Sequence, residues 1–309
     1  MDKYAIIAIA TFKRPNMLSD ALESLKNLHV PDGYTIACFV CDNDPDKSAE
    51  RICESFSKEL PFELKYFVQA RRGIVHTRNL LLSESHIVGA SHIAFFDDDE
   101  TVHPQWIYEL LKTAVKYNAA SVSGRVIYTL LEGAPKWLEE RNFYGGGRPT
   151  TGTLLQGAST NNVLIDLTFL KKHQLVFNPA FNMSGGSDSF LFREVRDYGG
   201  KVVSCQEAIA YEQVPLSRAK EEWILNRAYK NGYTELNRNR IRHGKLKAYS
   251  IALAYATWLA ICHAFGLLGY PFVKYSSIVF NRRRTRKIKG MMLALQGKPY
   301  EEYRTIHGG

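Results

Sequence analysis

Residues 93–100 read Ile-Ala-Phe-Phe-Asp-Asp-Asp-Glu, and this stretch decides how the fold is interpreted. Its four apolar residues are typical of a buried strand in a parallel sheet, and Asp97, Asp98 and Asp99 follow at the carboxyl end of that strand. In open α/β sheets, ligands bind in the crevice at the carboxyl ends of the strands. Three adjacent carboxylates repel one another, so either a divalent cation bridges Asp97 and Asp99 to a diphosphate, or the triplet is a solvated acidic turn. The triplet by itself leaves both interpretations open.

The residues before this stretch alternate between strand-like and helix-like patterns, which predicts parallel strands with right-handed crossovers. A Gly- and Thr-rich segment, residues 142–162, predicts a loop over the site, and residues 186–198 predict a later helix. We therefore predict an α/β fold with a mostly parallel sheet and flanking helices. The predicted strands are Tyr4–Ala10, Ile36–Cys41, Leu64–Val68 and Ile93–Phe96, and the predicted helices between them are Pro15–Leu28, Lys47–Glu59 and Gly73–Ser83.

The charge of the chain is distributed unevenly. The net charge is +9, yet residues 218–309 carry 18 Lys and Arg against 5 Asp and Glu, so the excess of positive charge belongs to the last third. The five cysteines include Cys38 and Cys41 on a predicted strand, where a spacing of three points them to opposite faces. This spacing argues against a zinc or redox site and favours buried thiols.

Five motifs, taken in order, resemble glycosyltransferases of family 2 with the GT-A fold. Each motif is short, but their order and spacing over residues 4–230 are specific. The five are Ile6-Ile-Ala-Ile-Ala-Thr-Phe-Lys-Arg-Pro15 beside the family's hxTYNRP, Val40-Cys-Asp-Asn43 beside VDN, Arg72-Gly-Ile-Val-His-Thr-Arg-Asn79 beside GxxxARN, the Asp97–Asp99 cluster beside DXD, and Gly185-Gly-Ser-Asp-Ser-Phe-Leu-Phe-Arg193 beside GGEDxDLxxR.

The resemblance implies a binding site for a sugar nucleotide. Thr11, Phe12 and Asp42 would hold the nucleobase and ribose, with Arg78 near the base and Arg72 at the entrance. The alternative for Asp42 is a turn or helix-capping residue. The complete donor-binding set that the resemblance implies is Thr11, Phe12, Arg14, Asp42, Arg72, Arg78, Asp98 and Arg227.

The resemblance also assigns the chemistry. Asp97 and Asp99 would hold Mg²⁺ or Mn²⁺ against the diphosphate, because oxygen ligands suit these hard ions, and Asp98 would point away from the ion. Asp188 is the candidate catalytic base of an inverting transfer. Ser187 and Phe190 depart from the family pattern here, so the acceptor side of the site is expected to differ. The alternative for Asp188 is an N-cap of a helix over 189–198, a role that Ser187 or Asp188 could fill.

A further departure concerns processivity. Processive members carry Q-x-x-R-W after the base, whereas this chain has Trp223-Ile-Leu-Asn-Arg-Ala-Tyr229, which predicts the addition of a single sugar. Arg227 in this segment would reach the donor phosphates, or would be a solvated helix residue.

The C-terminal part, residues 233–309, is predicted as a separate basic and apolar helical region following a catalytic domain of residues 1–232. Residues 248–273 carry no charge and would reach about 39 Å as a helix, which is long enough to span a bilayer. Five basic residues precede this run and six follow it, so a single span would conflict with the positive-inside tendency, and Gly266, Gly269 and Pro271 would interrupt the helix. We therefore expect a monotopic helix on an anionic membrane surface, at the cytoplasmic face of the inner membrane. The alternative is a helix packed on the catalytic domain.

The sequence looks most like bacterial exopolysaccharide glucosyltransferases of the succinoglycan type. The resemblance implies transfer of a hexose, glucose being favoured, from a UDP-sugar to a polyprenyl-diphosphate-linked oligosaccharide. The alternatives are a catalytically weak sugar-nucleotide-binding scaffold, or transfer to another acceptor such as lipopolysaccharide or protein. The basic residues flank an apolar run instead of alternating with aromatic residues, which argues against nucleic acid as a partner. The oligomeric state has no signal in the sequence.

Overall fold

The structure, a computed structural model, describes residues 2–141, 143–145, 149–268, 274–298 and 300. Its first hundred residues confirm the predicted alternation of strands and helices. The first four strands pair in parallel in the order β3-β2-β1-β4. These strands are β1 (Lys3–Thr11), β2 (Tyr34–Asp42), β3 (Leu64–Val68) and β4 (His92–Phe96), and the helices between them are α1 (Pro15–Glu23), α2 (Glu50–Phe56) and α3 (Ile74–Ile87).

The second half of the sheet is mixed, where a mostly parallel sheet was predicted. Among the described residues the strand order is β3-β2-β1-β4-β7-β6-β8-β5, with β7 antiparallel to its neighbours and β5 antiparallel to β8. The remaining strands are β5 (Glu100–Val102), β6 (Ser121–Leu130), β7 (Asn162–Asp166) and β8 (Val202–Val214), and the helices are α4 (Trp106–Tyr117), α5 (Leu167–His173) and α6 (Ser187–Asp197).

Two apolar layers cover the two faces of the sheet. Cys38 belongs to one layer together with Ile7 and Trp106, while Cys41 belongs to the other together with Phe39. The prediction of two buried thiols on opposite faces is thus confirmed, and burial raises the pKa of the Cys41 thiol to about 12. Both layers are continuous with helices from the first two hundred residues, and this packing fixes the strand ends relative to one another.

The C-terminal region folds as two long helices packed side by side. The first is α7 (Glu221–Leu268), which is broken at Gly244, where φ is 77° and ψ is 169°. The second is α8 (Tyr275–Leu295). The helix α7 continues through Gly266, contrary to the predicted interruption there, whereas Gly269 and Pro271 lie outside the described residues. By length and composition, α7 over Glu221–Phe265 is apolar enough to cross a membrane.

Candidate active site

A cavity of about 770 Å³ opens where the parallel strands end. The ends of β1 and β4 and the start of α3 form one side, and the start of α6 together with α7 and α8 forms the other. This is the crevice at the carboxyl ends of the strands that the sequence predicted. The predicted site residues that line it are Thr11, Phe12, Arg14, Arg72, Arg78, Asp97, Asp98, Asp99, Asp188 and Arg227.

The acidic turn, defined here as Asp97–Asp99, joins β4 to the short strand β5. Two hydrogen bonds close it: the Glu100 amide donates to the Asp97 carbonyl at 3.1 Å, and the Asp97 amide donates to the Glu100 carboxylate at 3.0 Å. Because the chain reverses within three residues, the three aspartate side chains diverge and take different partners.

Asp98 ties the acidic turn to the end of β1. Its carboxylate accepts a hydrogen bond from the Thr11 hydroxyl at 2.8 Å and another from the Arg14 guanidinium at 3.1 Å. The side chain is buried, and this burial raises the pKa of Asp98 to about 6 in spite of the neighbouring Arg14. Asp98 therefore positions the turn, and Asp97 and Asp99 remain as the carboxylates that could hold a cation.

Asp99 lies between two arginines that come from distant parts of the chain. The Arg218 guanidinium donates to Asp99 at 3.0 Å and to Glu212 at 2.8 Å, and Arg14 approaches Asp99 at 3.6 Å. Glu212 stands directly opposite Glu100 in the β5–β8 pairing, and its burial, together with the charge of Asp99, raises its pKa to about 7. The negative charge of the site thus extends beyond the acidic turn.

Asp97 is the least compensated of the three aspartates. Its only ion pair among the described residues is a long one, 3.9 Å to Arg78, and 45% of its side-chain surface is accessible from the cavity. Removal from bulk water by the cavity walls raises the pKa of Asp97 to about 6; Arg78 opposes this shift, and the charges of Asp99, Asp98 and Asp188 add to it. A cation would relieve this repulsion.

The residues present fit a hard divalent ion. Asp97 and Asp99 offer carboxylate oxygens, and the described residues that line the cavity include no histidine or cysteine. Magnesium is usually held by one or two carboxylates, with the remaining positions taken by substrate phosphates and water. The acidic turn supplies two such carboxylates, Asp97 and Asp99.

Asp42 is the one predicted site residue that the structure places elsewhere. It is fully buried and does not line the cavity. Its carboxylate accepts hydrogen bonds from the Asp44 amide at 2.9 Å, the Ala49 amide at 2.8 Å and the Tyr66 hydroxyl at 2.9 Å. The predicted contact of Asp42 with a nucleobase does not fit this geometry, whereas the alternative, a turn residue before α2, does.

The next residue, Asn43, reaches the cavity instead. Its side-chain oxygen accepts the Gly73 amide at 2.7 Å, and its side-chain nitrogen donates to the carbonyls of Gln69 and Arg71 at 2.7 and 2.9 Å. These bonds fix the loop that carries Arg72, whose guanidinium lies 5.0 Å from the centroid of the Phe12 ring. Phe12 and Arg72 thus stand next to each other in the lining of the cavity.

Asp188 lies in the first turn of α6, facing the cavity. The N-cap of this helix is Gly186, at φ 93°, and no side chain caps it. Within the described part of the chain, the Asp188 carboxylate accepts a hydrogen bond only from the amide of its neighbour Ser189, at 2.6 Å. The alternative that Ser187 or Asp188 is the N-cap is therefore wrong, and a carboxylate in the first turn of a helix is favoured by the helix dipole.

The far wall of the cavity comes from the C-terminal helices. Thr234, Glu235 and Arg238 on α7 and Lys287 on α8 line it together with Asp188. The predicted domain boundary after residue 232 falls within the first quarter of α7, so this helix runs without a break from the residues before the boundary to Thr234, Glu235 and Arg238 in the cavity wall.

Sequence reasoning missed Glu212, Arg218 and Lys287. None of them belongs to a spaced motif. In the sequence, Glu212 appears only as an acidic residue near the end of a strand-like run, and Arg218 as a basic residue shortly after it. Lys287 appears as part of a basic cluster that was assigned to the membrane surface. All three reach the site through long-range pairing, which sequence spacing does not report.

Comparisons with known proteins agree with this geometry. The model of the family described as Glycosyl transferase family 2 matches residues 6–179. Over 304 residues the chain is 30% identical to the succinoglycan biosynthesis protein ExoM of Rhizobium meliloti strain 1021, covering 96% of this chain and 94% of that protein.

Two solved structures share the fold. The mannosyltransferase PcManGT from Pyrobaculum calidifontis, in complex with GDP-Man and Mn²⁺, superposes with a TM-score of 0.62 at 13% identity, covering 97% of this chain and 89% of that one. S. aureus TarS 1-349 in complex with UDP-GlcNAc superposes with a TM-score of 0.54 at 14% identity, covering 97% and 93%. The mixed sheet with flanking helices is thus that of GT-A glycosyltransferases.

Proposed function

The chain belongs to glycosyl transferase family 2, and we propose that it transfers a hexose from a UDP-sugar to a lipid-linked oligosaccharide, with inversion at the anomeric carbon. The observation that carries this proposal is that Asp97, Asp99 and Asp188 line one cavity, close enough for the charge of Asp188 to act on Asp97. A binding scaffold without catalysis would not need all three carboxylates in this arrangement, which argues against the scaffold alternative.

The donor nucleotide is assigned to the side of the cavity formed by the strand ends. Phe12 and Arg72, which contact each other in the cavity lining, offer an aromatic ring and a guanidinium to the base, and Thr11 is held at the end of β1 by its hydrogen bond to Asp98. The donor sugar then lies deeper, towards the acidic turn. We assign UDP-glucose from the resemblance to succinoglycan-type enzymes.

Asp97 and Asp99 would hold the divalent ion, with Asp98 oriented by Thr11 and Arg14 to support the turn. Such an ion, when bound, offsets the charge that develops on the departing diphosphate. Arg14 and Arg218 add fixed positive charge beside the acidic turn, 3.6 and 3.0 Å from Asp99. These arginines keep the turn folded before substrate arrives, since they compensate part of the carboxylate repulsion.

Asp188 is assigned as the base. The acceptor hydroxyl oxygen attacks the anomeric carbon as the bond from that carbon to the diphosphate oxygen breaks, and the hydroxyl proton passes to the Asp188 carboxylate. Among the residues that the structure describes, this carboxylate has one hydrogen bond, from the Ser189 amide, so an acceptor hydroxyl can reach its second oxygen.

The acceptor assignment draws on the curated relative, whose name places it in succinoglycan biosynthesis. By that relationship we assign this chain to bacterial exopolysaccharide synthesis, with a polyprenyl-diphosphate-linked oligosaccharide as acceptor. The absence of the processive motif, with Arg227 resting 5.2 Å from the Trp223 ring centroid at the cavity wall, supports the addition of one sugar.

The C-terminal helices support a monotopic position at the cytoplasmic membrane face. The second half of α7 exposes Leu253, Trp258, Ile261 and Phe265, whose exposed fractions are 50–71%. Lys287 and Arg284 of α8 bond to Tyr255 and to the Cys262 carbonyl of this same half. The charges of α8 therefore lie level with the apolar run, where a spanning arrangement would carry them to the bilayer interior at high cost. Insertion of one apolar face into one leaflet avoids that cost.

A donor screen tests the proposal. The purified protein is incubated with a panel of UDP- and GDP-sugars, with and without Mn²⁺, and release of the nucleoside diphosphate is measured in the presence of a lipid extract from cells that lack the gene. We expect Mn²⁺- or Mg²⁺-dependent release of UDP from UDP-glucose. Equal release in EDTA would contradict the metal assignment, and no release from any donor would contradict the proposed function.

A further inference from the structure

The two C-terminal helices touch at a pair of glycines beside the cavity. A Cβ atom on Gly232 of α7 would lie 2.0 Å from the Lys287 carbonyl oxygen, and one on Gly290 of α8 would lie 1.9 Å from the Tyr229 carbonyl oxygen. Any side chain at either position would force the backbones apart. The crossing therefore fixes α8 against the part of α7 that forms the cavity wall.

This crossing brings an oppositely charged pair to the cavity. The Lys287 ammonium lies 2.9 Å from the Glu235 carboxylate and 2.9 Å from the Tyr255 hydroxyl. Both charged side chains line the cavity and keep about a quarter of their surface accessible, 23% for Lys287 and 29% for Glu235. The pair offers a donor and an acceptor side by side, with no net charge.

Arg238 extends the same wall towards the candidate base. Its Nε atom is buried and has no hydrogen-bond partner among the residues that the structure describes. Its guanidinium lies close enough to the carboxylates of Glu235 and Asp188 to interact electrostatically with both. An unsatisfied buried donor of this kind costs free energy unless a ligand or water accepts its hydrogen bond.

We propose that Glu235, Arg238 and Lys287 recognise the acceptor sugar, so that α8, at the far end of the sequence, forms part of the acceptor subsite. This inference rests on the proposed function. The donor occupies the strand-end side of the cavity, which leaves the wall beyond Asp188 to the acceptor. Each hydroxyl of a pyranose both donates and accepts, so neighbouring carboxylate, ammonium and guanidinium groups suit it. A hydrocarbon chain would gain nothing from these groups.

The first test separates acceptor binding from donor binding. Lys287→Met keeps most of the aliphatic side chain and removes the ammonium; we expect the KM for acceptor to rise at least about tenfold, the size expected for a lost charge-assisted hydrogen bond. The KM for UDP-glucose should stay near that of the wild type. The acceptor is supplied as the lipid extract of cells lacking the gene, and transfer of radiolabelled glucose is measured. Lys289→Met is the matched control, because Lys289 is exposed on the same helix and does not line the cavity.

The second test separates recognition from a structural salt bridge. The double variant Glu235→Lys with Lys287→Glu restores an ion pair between α7 and α8 but exchanges the donor and acceptor positions that face the sugar. If the pair only holds the helices together, the double variant should regain the acceptor KM of the wild type. If the pair recognises the sugar, the KM stays high while the melting temperature recovers, and Lys287→Arg retains most of the activity.

The possible outcomes distinguish this inference from the proposed function. A wild-type protein that transfers no sugar from any donor overturns the proposed function, and the inference with it. A wild-type protein that transfers sugar, together with a Lys287→Met variant whose acceptor KM is unchanged, overturns the inference alone. Recovery of the acceptor KM in the double variant also overturns it.

Discussion

The acidic turn and the basic segment Arg282–Lys289 of α8 are both clusters of like charge, yet they are compensated in different ways. The acidic turn lies in a cavity, where Arg14, Arg78 and Arg218 are its counter-charges. They compensate it only in part, since burial still holds the pKa values of Asp97 and Asp98 above the ordinary value. The basic segment lies on a helix. Arg282 pairs with Glu221, Lys287 pairs with Glu235, and Arg284 donates to the Cys262 carbonyl.

This contrast indicates that a charge cluster can act as a binding site when the protein compensates its charge incompletely and a ligand can reach it from a cavity. Around the acidic turn both conditions hold, so a cation or a substrate can supply what the protein does not. Along the basic segment α7 supplies partners for Arg282, Arg284 and Lys287, and an exposed charge such as Arg286 remains solvated. The basic segment thus serves packing and the surface, apart from Lys287 at the cavity.

Removing one charge from the acidic turn should have the largest effect. For Asp99→Asn we expect transfer to fall by about 10³-fold or more, because several kcal/mol of transition-state stabilisation depend on the held cation. Calorimetry should show weaker UDP binding chiefly when Mn²⁺ is present. Asp32→Asn, in an exposed loop, is the control. A wild-type UDP affinity that is indifferent to EDTA would refute the metal assignment.

Changing the opposite side of the cavity tests whether Asp188 acts chemically. For Asp188→Asn we expect transfer to slow at least about a hundredfold, the lower end for loss of a general base. UDP binding with Mn²⁺ should persist, and the melting temperature should shift by about 2 °C or less, because Asp188 does not cap α6. Asp197→Asn, on the same helix but paired with Arg242 at the surface, should transfer normally. If the Asp188→Asn variant transfers sugar at near the wild-type rate, Asp188 is not the catalytic base.

The exposed apolar face of α7 provides a third comparison. Replacing Leu253 and Trp258 by Asp should weaken binding to vesicles with anionic lipid at least about tenfold, since each buried apolar side chain contributes about 1.5–3 kcal/mol. High salt should weaken wild-type binding only in part, because it screens the charges and not the apolar contact. Ile87→Asp, on an exposed part of α3, controls for the added charge. If the wild-type protein does not sediment together with vesicles of any composition, the proposed membrane docking is contradicted.

The smallest expected effect is a dependence of stability on pH. Asp97 and Asp98 have folded-state pKa values near 6, above the ordinary value of 3.8, so the folded protein binds protons more tightly than the unfolded chain. Without metal, their contribution favours folding below about pH 4 and is lost as the pH rises to about 6. Mn²⁺ needs the ionised carboxylates, so its thermal shift should be larger at pH 7 than at pH 5. A thermal shift of equal size at pH 5 and pH 7 would show that metal binding does not depend on the ionisation of Asp97 and Asp98.

Much of the fold and most of the predicted site residues follow from local sequence patterns. The apolar runs that became β1 to β4, the glycine before α3 and the carboxylates after Phe96 are all adjacent in sequence, so their spacing predicts them. Asp42 shows where that reasoning ends. Spacing placed an acid at the end of β2 but did not tell which of two neighbouring residues faces the cavity, and the turn before α2 gave that position to Asn43.

The amino-acid sequence was enough to predict the fold class and the acidic turn, because both follow from the composition and order of local segments, and the resemblance of the Gly185–Arg193 motif pointed to Asp188 as the candidate base. Tertiary packing was needed to show which arginines face the turn: Arg14 reaches Asp98 across 84 residues of sequence and Arg218 reaches Asp99 across 119. It also decided that α8 lies along α7, bringing Lys287 to the cavity and the basic segment level with the apolar run. Such contacts depend on how strands and helices pack after they form, and the spacing of residues along the chain carries no record of that packing.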